Sequence, residues 1–227
     1  MPASYDIITF DCYGTLIDWQ RGIARAFLAE AEAAGVAAEL ELEPERVLGI
    51  YHEVEPHVQA EAFRSYRTVL AETATRVAEF LGWDMEPAAA ERFAASVPTW
   101  PPFADTDAAL QRLAAAGYAL GILSNVDDDL LAGSRQHFAA PFELIVTAQQ
   151  VRSYKPGHAH FLAAREYIGE RRWLHAAQSL FHDVRPCNEL GIPVVWINRQ
   201  NESIEPGGPQ PLHIVPTLAA LADWLEA

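Results

Sequence analysis

The stretch Ile8-Thr9-Phe10-Asp11-Cys12-Tyr13-Gly14-Thr15-Leu16 decides the fold class predicted for this chain. An apolar, β-branched run ends at the carboxylate of Asp11 and is followed at once by a turn that contains Gly14. The pattern predicts a buried strand with Asp11 at its carboxyl end, the edge where open parallel sheets hold their active sites. A carboxylate at that edge serves as a nucleophile or as a metal ligand.

Helix-only and strand–helix patterns divide the rest of the chain. Residues 19–98 read as helices alone, with an interruption near Pro56, and the block ends at the proline cluster Val97–Pro102. Beyond it, strands and helices alternate with short connections, which predicts a parallel, doubly wound sheet covered on both faces. We therefore expect an α/β core of residues 1–18 and 99–227, with a small all-α cap, residues 19–98, inserted after the first strand.

Composition narrows the classes of function. The chain has 227 residues, 50% of them hydrophobic, and a formal net charge of −15. This charge disfavours nucleic acid and anionic membranes as partners, whereas a small anionic substrate can still enter a locally positive pocket. Two cysteines, Cys12 and Cys187, indicate a reducing compartment and no thiolate zinc site. With no signal peptide or membrane-length segment expected, we predict a cytoplasmic protein, for which a homodimer would be a common assembly.

Four polar sites follow the predicted strands: Asp11, the pair Ser124-Asn125, Lys155 and Asp183. Because strand ends converge at one edge of a parallel sheet, we expect these groups to meet in one crevice. A nucleophilic carboxylate, a hydroxyl and amide pair, a cation and a second carboxylate form a chemically coherent set.

These motifs resemble those of a known family. Phe10–Leu16, Leu123–Asn125, Tyr154–Pro156, and Asp183 followed by Gly191–Pro193 look like the four motifs of the haloacid dehalogenase superfamily, in order and across the whole chain. The resemblance implies a Rossmann-type three-layer core, with the helical cap at the first insertion point of the family. Most members are magnesium-dependent phosphatases, so the superfamily alone does not give the reaction.

Two positions separate this chain from those phosphatases. Where they carry an Asp two residues after the nucleophile, this chain has Tyr13, and Gln178 replaces the acidic metal ligand five residues before the late Asp. The Asp missing at position 13 serves those phosphatases as general acid for the leaving alcohol, and a hard dication prefers anionic oxygen ligands to the neutral Gln178. Both losses favour chemistry without a metal or other cofactor. The histidines show no metal-binding spacing, and His158 and His160, two residues apart, are predicted to lie at the surface.

The form Asp-x-Tyr-Gly-Thr-Leu is similar to that of the L-2-haloacid dehalogenases. The resemblance implies that Asp11 attacks the α-carbon of a small 2-haloacid, expels halide and forms an ester that water hydrolyses. Lys155 is then expected to keep Asp11 ionised and to hold the anions of the site. Asp183 is expected to hold Lys155 or to orient the hydrolytic water. A magnesium-dependent phosphatase and a catalytically weak binding protein on the same scaffold stay open as alternatives.

The resemblance also implies substrate contacts around the nucleophile. Ser124, Asn125 and the backbone amides of Cys12 and its neighbours are expected to bind the substrate carboxylate. Thr15 is expected to brace the nucleophile loop, and Tyr13 either walls the pocket or contacts substrate.

A halide-binding Arg from the cap belongs to the same pattern. Arg46 lies at roughly the right place for it, and Arg64 and Arg67 are later candidates. The chain also departs from the pattern, because Phe161 stands where the family carries a Tyr six residues after the Lys. Leu180 stands where the family carries an Asn shortly before the late Asp.

Overall fold

The computed structural model describes residues 5–227, and within them six strands form one sheet. The strands are β1 Ile7–Phe10, β2 Ala119–Ser124, β3 Leu144–Thr147, β4 Trp173–Ala177, β5 Val194–Ile197 and β6 His213–Val215. All neighbouring pairs are parallel, in the order β3-β2-β1-β4-β5-β6. The chain adds β2 and β3 on one side of β1 and then returns to place β4 on the other side. Open α/β sheets bind their ligands beside such a reversal.

Ten α-helices lie within residues 5–227: α1 Trp19–Ala33, α2 Pro44–Gln59, α3 Tyr66–Phe80, α4 Pro87–Ala95, α5 Thr106–Ala115, α6 Asp128–Ser134, α7 Ala148–Val151, α8 Ala159–Ile168, α9 Arg185–Leu190 and α10 Leu218–Trp224. Single 3₁₀ turns cover Val97–Thr99 and Arg135–His137, and one turn of π-helix covers Leu180–Val184. In the part of the chain that the structure describes, no helix combines the length and the apolar character needed to cross a bilayer. The predicted α/β class with a helical insertion after β1 is confirmed.

The chain divides into two compact units. Residues 5–18, 102–125 and 136–227 form one, called the core unit below, and residues 19–101 and 126–135 form the other, called the helical unit. In the core unit, Phe161 and Ala164 of α8 belong to the same buried hydrophobic cluster as the sheet residues Ile7 and Val194. Helices α5 and α10 of the same unit pack against each other.

The segment 126–135 departs from the expected division, which assigned it to the α/β core. It joins the helical unit because its polar start caps another helix of that unit. The Asp127 carboxylate accepts hydrogen bonds from the backbone N–H groups of Tyr66 and Arg67, at 2.9 and 2.8 Å. These N–H groups open α3 and have no partner within the helix, so a carboxylate there satisfies them and favours the helix dipole.

Close packing also fixes the position of the carboxyl-terminal end of the segment 126–135. A side chain at Gly133 would bring a Cβ to within 2.6 Å of the Pro98 ring, and one at Gly22 would meet the Trp100 ring at 2.3 Å. Both contacts lie inside the helical unit, and both require a residue without a side chain. Glycine is therefore a packing residue at these two positions.

The interruption expected near Pro56 is absent from the described residues, since α2 runs through it to Gln59. A proline in a helix interior removes one backbone hydrogen bond and crowds the carbonyl group four residues earlier, a cost that packing can outweigh. Val47, Tyr51, Val54 and Val58 form a buried stripe along α2 at helical spacing, and this stripe continues past the proline.

Arg199 fastens the loop after β1 to the rest of the core unit. Its Nε and Nη2 donate to the Thr15 carbonyl oxygen at 3.2 and 3.0 Å, and its Nη1 donates to Asp105 at 3.0 Å. The guanidinium carbon lies 3.9 Å from the centre of the Phe103 ring. Asp105 in turn accepts from the backbone N–H of Leu218 at 2.7 Å, at the start of α10.

We expect Arg199→Ala to lower the free energy of unfolding by about 2–3 kcal/mol, because it removes charged hydrogen bonds from a side chain that is only 9% exposed. Urea denaturation measures the change. Arg185→Ala is the matched control: its ion pair is long, at 3.6 Å, and exposed, so a change within about 0.5 kcal/mol is expected. Equal losses in both variants would contradict the role given to Arg199.

Candidate active site

The structure brings the four predicted polar sites together in the core unit. Asp11 follows β1 directly, Ser124 is the last residue of β2, and Asp183 lies in the π turn after β4. Lys155 comes after α7, the short helix that follows β3. All four side chains are buried, with Lys155 1% and Asp11 8% exposed. The parallel sheet thus converts four separate stretches of sequence into one site.

Lys155 is the centre of this site. Its ammonium nitrogen donates to Asp11 Oδ1 at 2.8 Å, to Asp183 Oδ1 at 2.7 Å and to the Leu123 carbonyl oxygen at 2.9 Å. An ammonium group has three hydrogens, so all of them have an acceptor. The cation is therefore fixed between the two carboxylates.

Thr15 links the nucleophile loop to the end of β4. Its hydroxyl donates to Asp11 Oδ2 at 3.0 Å and accepts from the backbone N–H of Gln178 at 2.9 Å. Each oxygen of Asp11 thus accepts one hydrogen bond and keeps lone pairs for reaction. The role of Thr15 as a brace of the nucleophile loop, and any contact of it with substrate, stay predictions.

The charges of the cluster shift its pKa values in opposite directions. Burial raises the pKa of the Asp11 carboxyl, and the Lys155 charge opposes this rise without cancelling it. Burial acts in the same sense on Asp183, but there the Lys155 charge and the hydrogen bond from His175 prevail and hold the pKa below its usual range. The two carboxylate charges outweigh burial at Lys155 and raise its pKa.

Ser124 and Asn125 have different surroundings. The Ser124 hydroxyl is buried and has no hydrogen-bond partner within residues 5–227. The Asn125 side chain accepts from the Lys155 backbone N–H at 2.7 Å and donates to the Lys155 carbonyl oxygen at 3.0 Å. Asn125 thus fixes the backbone of Lys155 through two hydrogen bonds. Contact between either side chain and a substrate stays a prediction.

Cys12 and Tyr13 line the loop beside the nucleophile. The Cys12 side chain is fully buried, and burial followed by the Asp11 charge raises the pKa of its thiol well above the ordinary value. It therefore stays a neutral thiol. Tyr13 is half-buried and pairs with Ile17 in an isolated bridge. Their contacts with substrate stay predictions.

The arginine candidates all belong to the helical unit. Arg46 is exposed and donates to the Leu40 carbonyl oxygen at 3.2 Å. Arg64 forms ion pairs with carboxylates of its own unit, and Arg67 pairs with Asp129 at 2.6 Å. Among these three, Arg46 is the one that has no carboxylate partner in residues 5–227. Its role as a substrate ligand stays a prediction.

The residues of the site do not fit a divalent cation. Gln178 is neutral at the position where the resemblance implies an acidic metal ligand, and Asp11 and Asp183 already share the Lys155 ammonium. Over residues 5–227, no group of three or more His, Cys, Asp or Glu side chains could hold a metal ion. A dication placed beside Asp11 would also be repelled by the fixed cation.

His160 is a correction to the sequence analysis, which predicted it at the surface. It is fully buried on α8, and its Nε2 donates to the Ser124 carbonyl oxygen at 3.1 Å. Its spacing with Ala164 and Ile168, four residues apart each time, places all three on the buried stripe of that helix. This stripe is the signal that could have located it.

Sequence reasoning also missed His175, a fully buried residue in the middle of β4. Its Nε2 lies 3.1 Å from Asp183 Oδ1, and its Nδ1 lies 2.8 Å from the Thr9 hydroxyl. Thr9 and His175 are direct neighbours in the register of β1 and β4. The sequence contains no sign of this pairing, because it depends on which strand lies beside β1.

Comparison with known proteins identifies the family. The model for haloacid dehalogenase-like hydrolases matches residues 5–172. The chain belongs to this family. An (S)-2-haloacid dehalogenase of Pseudomonas putida is 32% identical over 129 residues, which are 55% of this chain and 56% of that protein. In this comparison the chain spans just over half the length of its relative.

Two further proteins are similar over nearly the whole chain. The (S)-2-haloacid dehalogenase of Pseudomonas sp. strain YL is 25% identical over 227 residues, covering 96% of this chain and 94% of that protein. The L-2-haloacid dehalogenase of Xanthobacter autotrophicus, solved with chloropropionic acid covalently bound, superposes with a TM-score of 0.82 at 18% identity. That match covers 98% of this chain and 99% of the other, and at this identity it shows a shared fold.

His160 makes stability depend on pH. Burial, with a smaller effect of the Lys155 charge, lowers its pKa to about 3, whereas an unfolded His has a pKa of about 6.5. Below pH 6.5, His160 therefore binds a proton in the unfolded chain but not in the folded chain. The contribution of His160 to the free energy of unfolding is fully present above pH 6.5. Below that pH it falls by about 1.4 kcal/mol per pH unit toward pH 3.5.

We expect His160→Gln, which keeps a donor for the Ser124 carbonyl, to remove this slope from the free energy of unfolding. Denaturant titrations between pH 3.5 and 7.5 measure it. The exposed His158 pairs with Glu189 at 2.7 Å, and His158→Gln serves as the control that keeps the slope. An unchanged slope in His160→Gln would refute the assignment.

Proposed function

We propose that this protein is a metal-independent hydrolase that removes halide from a small 2-haloacid through an ester on Asp11. The observation that carries the proposal is the Lys155 ammonium, held 2.8 Å from Asp11 and 2.7 Å from Asp183. A fixed monovalent cation keeps the nucleophile ionised inside a buried site, which is what attack on carbon requires. The family relationship and the similarity to (S)-2-haloacid dehalogenases support the same reaction.

In the first step, a carboxylate oxygen of Asp11 forms a bond to the α-carbon of the substrate. The carbon–halogen bond breaks and the halide leaves with the bonding electrons. Thr15 and Lys155 hold the carboxylate in place through their hydrogen bonds, so the attack begins from an oriented nucleophile. The unpaired hydroxyl of Ser124 is proposed to donate to the substrate carboxylate.

In the second step, water attacks the carbonyl carbon of the Asp11 ester. Asp183, held ionised by Lys155, accepts the proton of this water. The bond between that carbon and the ester oxygen breaks, and the 2-hydroxy acid takes the proton as it leaves. The oxygen of water thus remains in Asp11, whose carboxyl group releases the second proton of that water to solvent and is ionised again. The hydroxyl oxygen of the product comes from Asp11.

We expect the wild type to release chloride from (S)-2-chloropropionate in the presence of a chelator. Asp11→Asn should lower this rate on the order of a thousandfold or more, because it removes the nucleophile. Halide titration gives the rates. Asp84→Asn, at an exposed carboxylate of the helical unit, is the control that keeps activity. One turnover in ¹⁸O-labelled water should put the label into the peptide containing Asp11.

Other outcomes would reject the proposal. Turnover of p-nitrophenyl phosphate that needs Mg²⁺ and stops with chelator, without halide release, would indicate the phosphatase alternative. Binding of haloacid with no turnover by the wild type would indicate a binding protein. Label appearing in the hydroxy acid after one turnover would mean that water attacks the substrate directly.

The pH dependence follows from the raised pKa of Asp11. The nucleophile must be ionised for attack. The acid-side fall of kcat/KM for halide release should therefore lie at a higher pH than the ordinary pKa of Asp, which is about 3.9. Thr15→Val removes a hydrogen bond that lowers this pKa and should move the acid limb to higher pH. Rate profiles from pH 4 to 9 measure both; a limb at or below pH 4 in both proteins would contradict the prediction.

A further inference from the structure

A line of hydrogen bonds runs behind the active site through the interior of the sheet. Trp173 Nε1 lies 2.7 Å from the Thr9 hydroxyl, which lies 2.8 Å from His175 Nδ1, and His175 Nε2 lies 3.1 Å from Asp183 Oδ1. Trp173 is 9% exposed, and Thr9, His175 and Asp183 are fully buried. The line therefore ends on the carboxylate that we propose as the base.

The chemistry of each partner fixes the direction of these bonds. The indole of Trp173 can only donate, so the Thr9 oxygen accepts from it. The ionised Asp183 can only accept, which places a hydrogen on His175 Nε2. We assign the tautomer that leaves Nδ1 as an acceptor, so that the Thr9 hydroxyl supplies its one hydrogen to it. Every hydrogen in the line has one acceptor.

As a result, the two carboxylate oxygens of Asp183 differ in the hydrogen bonds that they accept. Oδ1 accepts from both Lys155 at 2.7 Å and His175 at 3.1 Å, whereas Oδ2 is buried and accepts nothing from residues 5–227. A buried carboxylate oxygen without a donor is costly, and a water molecule that donates to it would remove that cost. Oδ2 is therefore the oxygen available to the hydrolytic water.

The ring of His175 is also held from the side. Phe161 on α8 packs edge-on against it, with ring centres 5.4 Å apart and an angle of 84° between the planes. Leu180, at the position where the family resemblance implies an Asn, has no side-chain group that could donate to Asp183. In this chain, His175 supplies a donor to that carboxylate from within β4.

We propose that His175 is a positioning residue for ester hydrolysis: with Lys155 it engages Oδ1 of Asp183 and so reserves Oδ2 for the attacking water. This rests on the proposed function. In the step concerned, Oδ2 takes one proton from water while the hydroxide oxygen bonds to the carbonyl carbon of the Asp11 ester. The proton then passes to the departing hydroxy acid, and His175 keeps its own hydrogen throughout.

His175→Leu and His175→Gln separate donation from packing. Leu removes both ring nitrogens, whereas Gln keeps an amide N–H for Asp183. We expect His175→Leu to release one chloride per site in a fast burst and then to turn over about 10- to 100-fold more slowly than the wild type. The Asp11 peptide should carry the mass of the ester. His175→Gln should restore steady turnover, and His213→Gln, on the edge strand β6, is the control for the substitution itself.

Other results would overturn the role. If alkylation and hydrolysis fall together in both His175 variants, His175 acts on the fold of the site as a whole. If His175→Leu turns over as the wild type does, or if Gln behaves as Leu does, donation to Asp183 is irrelevant.

Long-range ¹H–¹⁵N spectra test the hydrogen bonds without activity, which matters if His175→Leu does not fold. The wild type should show His175 with a hydrogen on Nε2 and none on Nδ1. The signals of His175 are assigned by their absence from the spectrum of His175→Gln. A hydrogen on Nδ1, alone or together with one on Nε2, would overturn the proposed network. If the wild type releases no halide, the proposed function fails, and the spectra then report separately on whether the network exists.

Discussion

The structure of the site depends on one buried cation shared by two carboxylates. Lys155 neutralises one of the two negative charges, and its three hydrogen bonds fix the distance between Asp11 and Asp183. Without it, two buried carboxylates would repel each other and at least one would take a proton. Its position is secured in turn by Asn125, which bonds the Lys155 main chain on both sides. The Lys155 cation therefore determines both the geometry of the site and its net charge.

The main features of the site could be predicted because the sheet imposes them. Asp11, Ser124 and Asp183 follow apolar runs, and parallel strands bring such ends together whatever the details of packing. His175 could not be found in this way. It lies inside a strand, where a polar residue carries no positional signal, and its partner Thr9 is 166 residues away in the sequence.

The division into units shows a second limit of sequence patterns. The segment 126–135 reads as one more helix of an alternating α/β series, a pattern that predicts a place in the α/β core. Its placement is decided by the Asp127 carboxylate at the start of α3 and by the fit of Gly133 against Pro98. Neither contact has a signature in the local sequence, because each joins segments more than 30 residues apart.

Because the ammonium hydrogens of Lys155 are all taken up by protein acceptors, this residue can influence an incoming anion only through its electrostatic potential. A potential of this kind acts alike on any monovalent anion at a given distance and does not distinguish fluoride from bromide. For the proposed reaction, any preference among halides beyond the strength of the carbon–halogen bond itself then has to come from the side chains that enclose the departing atom. If the proposed reaction holds, substitutions among these enclosing side chains can shift the halogen range while the charged centre stays the same.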